Sequence, residues 1–379
     1  MKALFLHNPT DLNSTIAGGV QICSKQFLDI IKEIADELYF FEVNYNKSLV
    51  FRILYRLNLD AYQSYSPKKY EVRLVQYLLS KEITHIFINK AELIKFSKII
   101  KEAKLQIVPK IIIMSHGNES GDLLGDLTGL KPQFKNFFRY FGILKLGLTL
   151  YLESWYRKRY VDLVCTMSEE ENAIEKWLGV NNPLFIPRLI NQKKDINRNP
   201  ILNVFGYVGT LNHTPNIIAL NQLCEEIKEA GINPEIRIIG GPYHIGKKLA
   251  NKYPFIKYLG ALNDDQLQEE VRMWAFFLNP IFNYSRGASM KLAKAIEWEI
   301  PVITTIAGRR GYLFGDGKLI ETDNTSFSMV NEINNLTNIP ANDYETLATD
   351  IVKIKHSMPT ATDLGCQLNK KLEKISELN

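Results

Sequence analysis

Cysteine is scarce in this chain, and long apolar runs are missing. Only 4 of the 379 residues are cysteines, and they are spread over the whole length: Cys23, Cys165, Cys224 and Cys366. Such spacing excludes a zinc set or a disulfide framework and favours a reducing compartment. No apolar stretch reaches the roughly 18 residues of a membrane-spanning helix. The opening MKALFLHNPTD predicts a first strand and not a signal peptide, so we expect a cytoplasmic protein.

Neither sign of charge dominates the chain. Lys and Arg number 46 against 41 Asp and Glu, which gives a net charge of +5. Residues 131–160 nevertheless hold seven basic residues and one glutamate, so this segment carries +6 and the remainder of the chain −1. The same segment is rich in Phe, Tyr and Leu.

A basic, aromatic, amphipathic segment of this kind can lie on an anionic membrane surface. We therefore expect a peripheral contact with the inner membrane face through residues 131–160. The alternative is a buried helix whose basic side chains only reach solvent. No nucleic-acid-binding motif accompanies the charge, so we expect no nucleic-acid partner.

Apolar runs alternate with helical patterns twice along the chain. This alternation predicts α/β architecture with two doubly wound, Rossmann-like parallel sheets. The predicted strands are 3–7, 38–43, 85–89, 110–115, 163–167 and 184–186 in the first half, and 203–209, 235–239, 256–259, 276–279, 302–305 and 318–321 in the second.

The break between the halves is predicted near residue 187. Residues 188–200 are polar and close on a proline, without apolar periodicity, which is typical of a linker. We expect domains at 1–187 and 201–358, followed by a C-terminal helix at 359–379. Two such domains facing each other across a cleft would bind a ligand at the carboxyl ends of their strands.

The segment SRGASMKLAKAIEWEIPVITTIAGRRG at 285–311 is the most informative. A short glycine-containing turn leads into a predicted helix that starts at Met290. The first N–H groups of a helix have no intrahelical partner and favour an anion. Arg286 and Lys291 flank this point, so a diphosphate is the expected ligand. The alternative is an ordinary loop–helix–strand unit with two surface cations. We expect Arg309 and Arg310, further along, to be solvated surface residues; the alternative is that they contact an acidic acceptor or a phosphate.

Other candidate ligand contacts follow predicted strands. Gly18 and Gly19 open a helix after the first strand, and adjacent glycines let backbone approach a ligand closely. His116 follows the fourth strand and can contact a sugar hydroxyl, although a lone loop histidine is also commonly structural. Gly209 and Thr210 follow the first strand of the second half and are expected to present backbone N–H groups.

The combination of these segments is more specific than its parts. The series YVGTLNHTPN, IRIIGG, KYLGAL, FFLNP and then residues 285–311 resembles the C-terminal domain of retaining GT-B glycosyltransferases, most closely the large family 4. In the first half, the glycine pair, Ser115-His116 and VDLVCTMS at 161–168 are similar to that family's diphosphate loop, sugar-contacting histidine and a later strand. The resemblance covers roughly residues 1–325.

The resemblance implies a glycosyltransferase of class EC 2.4. It would move a sugar from a nucleotide-diphosphate sugar to a hydroxyl of a glycan or lipid-linked glycan, with retention and without a metal or other cofactor. The first domain would bind the acceptor and the second the nucleotide sugar, and His116 would hold the donor sugar. The diphosphate would be neutralised by the following groups: Gly18, Gly19, Arg286, Lys291 and the backbone of Gly287, Ala288 and Ser289.

One position departs from the family pattern. Lys294 stands where the family has a glutamate that binds the ribose hydroxyls, and a lysine cannot accept those hydrogen bonds. Glu297 lies one turn further on the same helix face and could replace it imperfectly. Three accounts stay open: nucleotide binding through backbone and phosphate alone, an unusual donor, or a catalytically silent relative that acts as a glycan-binding or scaffold subunit. A sugar-nucleotide epimerase is less well supported, because no convincing pair of catalytic acids is visible.

Overall fold

The computed structural model describes residues 1–13, 18–46, 62, 64–129, 136–192, 197–283 and 287–377. The chain divides into two compact units. The first unit comprises Met1–Pro187, Ser285–Gly287 and Thr360–Asn379, and the second comprises Arg188–Tyr284 and Ala288–Pro359. Residues 188–200, predicted as a linker, thus belong to the second unit, and the C-terminal helix belongs to the first.

The first unit contains a six-stranded parallel sheet of order β2-β1-β3-β4-β5-β6. Its strands are β1 (Lys2–His7), β2 (Glu37–Glu42), β3 (His85–Asn89), β4 (Lys110–Met114), β5 (Leu163–Thr166) and β6 (Leu184–Phe185). Its helices are α1 (Gly19–Lys32), α2 (Glu71–Lys81), α3 (Lys95–Glu102), α4 (Glu119–Gly129), α5 (Asn136–Tyr160), α6 (Glu169–Trp177) and the C-terminal α14 (Ala361–Glu377).

The second unit repeats this architecture with strand order β12-β11-β10-β7-β8-β9. Its strands are β7 (Ile201–Val208), β8 (Glu235–Ile239), β9 (Ile256–Gly260), β10 (Trp274–Asn279), β11 (Val302–Thr305) and β12 (Ile320–Thr322). Its helices are α7 (Thr214–Ala230), α8 (Tyr243–Lys252), α9 (Asp264–Val271), α10 (Met290–Glu297), α11 (Ile306–Arg309), α12 (Ser326–Thr337) and α13 (Ala341–Ser357). The predicted fold class of two doubly wound parallel sheets is confirmed.

The strands are apolar along their length because helices cover both faces of each sheet. The central strand β10, of sequence WAFFLN, is buried at every position. Beside it, Gly206 on β7 leaves room for the indole of Trp274, since a Cβ at Gly206 would come within 1.7 Å of that ring. Close contact of these two strands therefore depends on the missing side chain of Gly206, whose partner in the strand register is Phe277.

Each sheet has one point where the strand order reverses direction. In the first sheet this point lies between β1 and β3, and in the second between β7 and β10. The connections leave these neighbouring strands in opposite directions, which opens a crevice at their carboxyl ends, where ligands of doubly wound sheets bind. The loops that follow β1, β3, β7 and β10 are consequently the places to look for function.

The turn after α10 holds a residue in a conformation that usually belongs to glycine. Glu299 has a φ of 54°, in the left-handed region. Its carboxylate accepts from Nζ of the buried Lys355 at 2.6 Å. This ion pair ties the end of α10 to α13 and helps to offset the local strain.

None of the described helices is both long and apolar enough to cross a membrane.

Candidate functional site

Three strand ends of the first sheet meet in one hydrogen-bonded network. Oδ1 of buried Asp11, in the turn after β1, accepts from Nζ of Lys90 at 2.7 Å. Its Oδ2 accepts from Nδ2 of Asn89, the last residue of β3, at 3.1 Å and from the backbone N–H of Asn8 at 3.2 Å. Oδ1 of Asn89 lies 2.9 Å from Nε2 of His116, which follows β4. The network is centred on the point where the strand order reverses.

Lys90 is held in this network at a cost to its backbone. Its φ is 81°, which side-chain-bearing residues rarely adopt and which costs on the order of 1–3 kcal/mol. Burial lowers the pKa of Lys90, but the negative charges of Asp11 and Glu92 and the hydrogen bond to Asp11 together raise it by more, so the net shift is upward. Lysine and aspartate therefore remain a charged pair inside the sheet edge.

His116, the predicted sugar-contacting residue, lies half-buried at this edge. Its ring packs edge-to-face against Phe27 of α1, with 5.4 Å between the ring centroids. The same helix supplies Ser24, whose Oγ accepts from Nδ2 of Asn89 at 2.9 Å. Helix α1 thus connects the histidine to the glycine pair at its own start.

Gly18 and Gly19 form the start of α1, with Gly18 as the N-cap. Gly18 has no side chain to cap the helix, and the first N–H groups of any helix lack intrahelical partners. Gly19 is exposed. A Cβ at Gly18 would lie 2.5 Å from Oε1 of Gln21. The glycine pair thus opens a helix, and its contact with a diphosphate stays a prediction; residues 14–17 lie outside the described part of the chain.

The turn before α10 differs from its prediction. The backbone N–H of Gly287 donates to Oε1 of Glu171 at 2.7 Å, so this group is not presented to a diphosphate as the sequence suggested. Arg286, the predicted guanidinium partner of the diphosphate, lies outside the described residues. In the second unit, Ser289 is the N-cap of α10 and makes no side-chain capping bond.

Ser289, at the start of α10, is held by hydrogen bonds to residues at the end of β10 and in the loop after α11. Its Oγ donates to Oδ1 of Asn279, the last residue of β10, at 2.9 Å. Its carbonyl accepts from the hydroxyl of Tyr312. Asn279 in turn donates to Oγ1 of Thr304 at 2.9 Å. These bonds fix the loop from Ala288 to Ser289 and with it the N-terminus of α10.

Lys291 lies in the first turn of α10. Its Nζ donates to Oδ1 of Asn216 at 2.8 Å and lies 5.6 Å from the centre of the Tyr207 ring. No carboxylate of the described residues forms an ion pair with it. Burial and, to a smaller extent, the positive charge of Arg310 together lower the pKa of Lys291 to about 8. Among the described residues, therefore, no negative charge balances this lysine.

Arg310 does not lie on the surface, so that prediction was wrong. Its side chain is buried, and Nη1 donates to the carbonyl of Ala307 at 2.5 Å. Arg309 is the exposed member of the pair and lies 3.6 Å from a carboxylate oxygen of Glu321. The second unit thus places a second buried cation close enough to Lys291 to influence its pKa.

The loops after β7, β8 and β9 are joined through glycines. The backbone N–H of Gly209 donates to the carbonyl of Ile239 at 3.0 Å and is used inside the sheet, contrary to the expectation that it faces a ligand. A Cβ at Gly240 would lie 2.0 Å from the Gly209 carbonyl, and Gly240 has a φ of 141°. Thr210 is exposed, and its carbonyl accepts from Nδ2 of Asn216 at 2.9 Å. Asn216 therefore connects Thr210 to Lys291.

Lys294, at the position of the family's ribose-binding glutamate, pairs with Glu297, its suggested replacement. Nζ of Lys294 lies 2.7 Å from Oε2 of Glu297. The other carboxylate oxygen, Oε1, accepts from the backbone N–H of Asn191 at 3.1 Å. Both oxygens of Glu297 are thus engaged within the second unit, and binding of a ribose diol would have to displace one of these partners.

Several residues of these two sites were not identified from the sequence. In the first unit they are Asp11, Asn89 and Lys90, and in the second Tyr207, Asn216 and Arg310. The hydroxyl of Tyr207 is buried and has no hydrogen-bond partner among the described residues. Polar residues directly after a buried strand, as in INK at 88–90, were the available signal for Asn89 and Lys90. Among the described residues, no group of three or more His, Cys, Asp or Glu could hold a metal ion.

Comparison with known proteins gives one family match and many similar structures. Residues 203–338 match the family model described as Glycosyl transferases group 1. No curated protein has a significantly similar sequence.

Three solved structures illustrate the similarity of fold. Sucrose-phosphate synthase from Thermosynechococcus elongatus superposes with a TM-score of 0.63 at 12% identity, covering 100% of both chains. Anabaena Alr3699/HepE in complex with UDP and glucose gives 0.61 at 16% identity, covering 99% of this chain and 100% of that one. An α,α-trehalose-phosphate synthase (UDP-forming) from Burkholderia xenovorans in complex with glucose-6-phosphate gives 0.61 at 9% identity, covering 98% and 100%.

The two parallel sheets and these similarities define a protein with the GT-B fold. The family match indicates the class of reaction. It covers the segments from β7 to α12, which carry the predicted nucleotide-sugar motifs. The resemblance to group 1 glycosyltransferases is thereby confirmed, and the chain is a glycosyltransferase.

Proposed function

We propose that this protein transfers a sugar from a nucleotide-diphosphate sugar to a hydroxyl of a glycan or lipid-linked glycan, with retention and without a metal. The second unit binds the nucleotide sugar and the first the acceptor. The observation that carries the proposal is Lys291, a half-buried cation in the first turn of α10 without a carboxylate partner among the described residues. An anionic ligand at this point would balance its charge.

The diphosphate is the leaving group of the proposed reaction. Negative charge grows on its bridging oxygen as the bond to the sugar breaks, and a cation that is already in place stabilises that charge. Lys291 supplies the cation, and the N-terminus of α10 supplies a favourable dipole. Loss of one such donor typically costs about 3 kcal/mol, a hundredfold or more in rate. Retention follows if the acceptor hydroxyl attacks from the side on which the diphosphate leaves.

UDP is the first nucleotide to test, because Anabaena HepE has been solved in complex with UDP and glucose. The experiment measures thermal stabilisation of the protein by UDP, GDP, ADP and CDP. We expect one of them to raise the melting temperature, and we expect Lys291→Ala to abolish that shift. Lys257→Ala removes an exposed lysine from β9 of the same unit and serves as the matched control. Failure of all four nucleotides to bind the wild-type protein would reject the proposal.

The second candidate function is a catalytically silent scaffold or glycan-binding subunit. The ion pair between Lys294 and Glu297 favours it, because the position of the family's ribose-binding glutamate holds a cation whose partner carboxylate is already engaged. A scaffold would bind glycan without any nucleotide. Turnover of a nucleotide sugar by the purified protein would exclude it.

We also propose that the acceptor is presented at an anionic membrane surface that α5 contacts. Tyr140, Leu144 and Tyr151 repeat along one face of this helix and are 66%, 62% and 62% exposed. Exposed Lys158 lies on the same face two turns after Tyr151, and exposed Arg139 directly precedes Tyr140. Aromatic and aliphatic side chains next to basic ones suit the boundary between lipid headgroups and acyl chains.

The opposite face of α5 is part of the protein interior. Arg157, counted among the basic residues of 131–160, is buried, and its Nε pairs with Oε2 of Glu175 at 2.5 Å. Glu153 is likewise buried and accepts from Oγ of Ser120 at 2.7 Å. The alternative of a buried helix therefore holds for the face of α5 that carries Glu153 and Arg157, and the membrane proposal concerns the opposite face, with Tyr140, Leu144, Tyr151 and Lys158.

Co-sedimentation with vesicles tests the membrane contact. We expect binding to vesicles that contain anionic lipid and little binding to zwitterionic vesicles. The double variant Arg139→Glu/Lys158→Glu should weaken binding, whereas Lys257→Glu, a charge reversal in the second unit, should not. Equal sedimentation of the wild type and the double variant would contradict the proposal.

A further inference from the structure

The end of β3 carries a side-chain amide whose two ends face different partners. Asn89 is fully buried. Its Nδ2 donates to Asp11 at 3.1 Å and to Ser24 at 2.9 Å, and its Oδ1 lies 2.9 Å from Nε2 of His116. The amide therefore connects the interior of the sheet edge to the histidine that the sequence predicts to hold the donor sugar.

The charge of Asp11 decides which end of the amide faces which partner. Its carboxylate pairs with Nζ of Lys90 at 2.7 Å and also accepts from the backbone N–H of Asn8. An ionised carboxylate only accepts hydrogen bonds. The nitrogen of the Asn89 amide must face Asp11, and its carbonyl oxygen must then face His116.

This orientation fixes the position of a proton on His116. A carbonyl oxygen cannot donate, so Nε2 of the histidine must carry the hydrogen of their shared bond. In the neutral ring the other nitrogen, Nδ1, then keeps its lone pair. Contact with the Phe27 ring at 5.4 Å holds the imidazole from a second direction. The network thus determines both the tautomer and the ring orientation.

We propose that Asn89 is a positioning residue that keeps His116 in the Nε2–H tautomer, so that Nδ1 accepts a hydrogen bond from a hydroxyl of the donor sugar. The inference rests on the proposed function for its substrate, a nucleotide-diphosphate sugar. Asp11 and Lys90 act one step further away, because they orient the amide of Asn89. Asn89 itself does not touch the reacting atoms.

The tautomer can be measured without any reaction. Long-range proton–nitrogen NMR spectra of the imidazole rings, with His116→Gln to assign the signal, should show the Nε2–H form in the wild-type protein. Asn89→Leu should give a mixture of tautomers. If that variant does not fold, Asp11→Asn is the second test, because an amide at position 11 no longer dictates the orientation of Asn89. An Nδ1–H tautomer in the wild type would overturn the inference.

Kinetics then test the positioning role. Asn89→Leu and His116→Gln should each lower kcat by about a hundredfold, the typical effect of a misplaced substrate contact. The double variant should lose no more than either single one, and the affinity for the free nucleoside diphosphate should stay unchanged. Ser97→Ala removes a buried hydrogen bond of α3 and should retain wild-type kcat. Additive losses in the double variant would overturn the positioning role.

The two sets of results separate the two proposals. A wild-type protein that turns over no nucleotide sugar rejects the proposed function, while the NMR spectrum still decides the tautomer. A wild-type protein that is active but whose Asn89→Leu variant has full kcat rejects the positioning role alone.

Discussion

The strand ends of the two sheets differ in how their charged side chains are paired. In the first unit, Lys90 and Asp11 form a close ion pair that is complete within the protein. In the second unit, Lys291 contacts an amide and an aromatic ring, and the positive charge of Arg310 acts on its pKa. A paired buried charge contributes to structure, whereas an unbalanced one raises the free energy of the protein until an anion binds. We infer that the ion pair at the edge of the first sheet orients neighbouring side chains, and that Lys291 at the edge of the second sheet binds an anion.

Breaking the ion pair of the first unit should have the largest effect. Lys90→Met leaves Asp11 buried without its counter-ion, and loss of one partner of a buried pair costs about 3–5 kcal/mol. Chemical denaturation should show that loss in the free energy of unfolding. The double variant Lys90→Met/Asp11→Leu removes both charges and should recover much of it. Equal stability of Lys90→Met and wild type would show that the pair is not structural.

The corresponding substitution in the second unit, Lys291→Met, should not lower the free energy of unfolding. The fold lowers the pKa of Lys291 to about 8, so its charged form is disfavoured, and Lys291→Met should be at least as stable as the wild type below pH 8. Diphosphate affinity should instead fall by about 1.5–3 kcal/mol, the value of a hydrogen bond to a charged group. Calorimetry with the nucleoside diphosphate that binds measures this. If Lys291→Met were destabilised but bound the diphosphate with normal affinity, Lys291 would have a structural role and not a binding role.

The pH dependence of binding should identify Lys291 as the titrating cation. Below pH 8 the lysine is protonated and attracts the diphosphate; as the pH rises through about 8 in the free protein, the proton is lost and affinity declines. Arg310→Gln removes a repulsive neighbour and should move this decline to higher pH. Arg310→Lys retains the charge and should shift it less, and Arg309→Gln is the exposed control. A decline at the same pH in every variant would show that another group titrates.

The smallest effect is expected at the ion pair of Lys294 with Glu297. The lysine side chain is 38% exposed, and exposed or partly exposed pairs contribute about 0–1 kcal/mol. Lys294→Met should therefore change the free energy of unfolding by no more than about 1 kcal/mol. It also releases one oxygen of Glu297, so affinity for a ribonucleotide should rise relative to its deoxyribose analogue. An unchanged preference would exclude Glu297 as a ribose contact.

Local sequence patterns were sufficient for the strands and for the position of Lys291. All twelve predicted strands occur, because buried parallel strands are continuous apolar runs that need no distant information to recognise. Lys291 was predicted because a glycine turn before a helical run is itself a local signal. The contacts of Lys291 were not predicted, because Asn216 lies 75 residues earlier in the chain. It reaches the lysine only through the packing of α7 against the sheet.

The burial of Arg310 likewise could not be predicted from the local sequence. Two adjacent arginines in a glycine-flanked loop look equally solvated in the sequence, yet Arg309 is exposed and Arg310 is buried. The backbone N–H groups of Gly209 and Gly287 were expected to face a ligand, and both donate to other protein groups instead. Solvation and hydrogen-bond partners depend on what the rest of the chain places nearby, which no local pattern records.

The sequence by itself determined the two parallel sheets, their helices and the enzyme class, because periodicity and motif spacing are encoded between near neighbours. Only the tertiary structure decided which polar groups are paired. Asp11, Asn89 and His116 are separated by 78 and 27 residues, and they form one network because their parallel strands end at the same edge. Electrostatic balance depends on distance in space, so the ion pair of the first unit and the two neighbouring cations of the second, Lys291 and Arg310, became visible only in the folded protein.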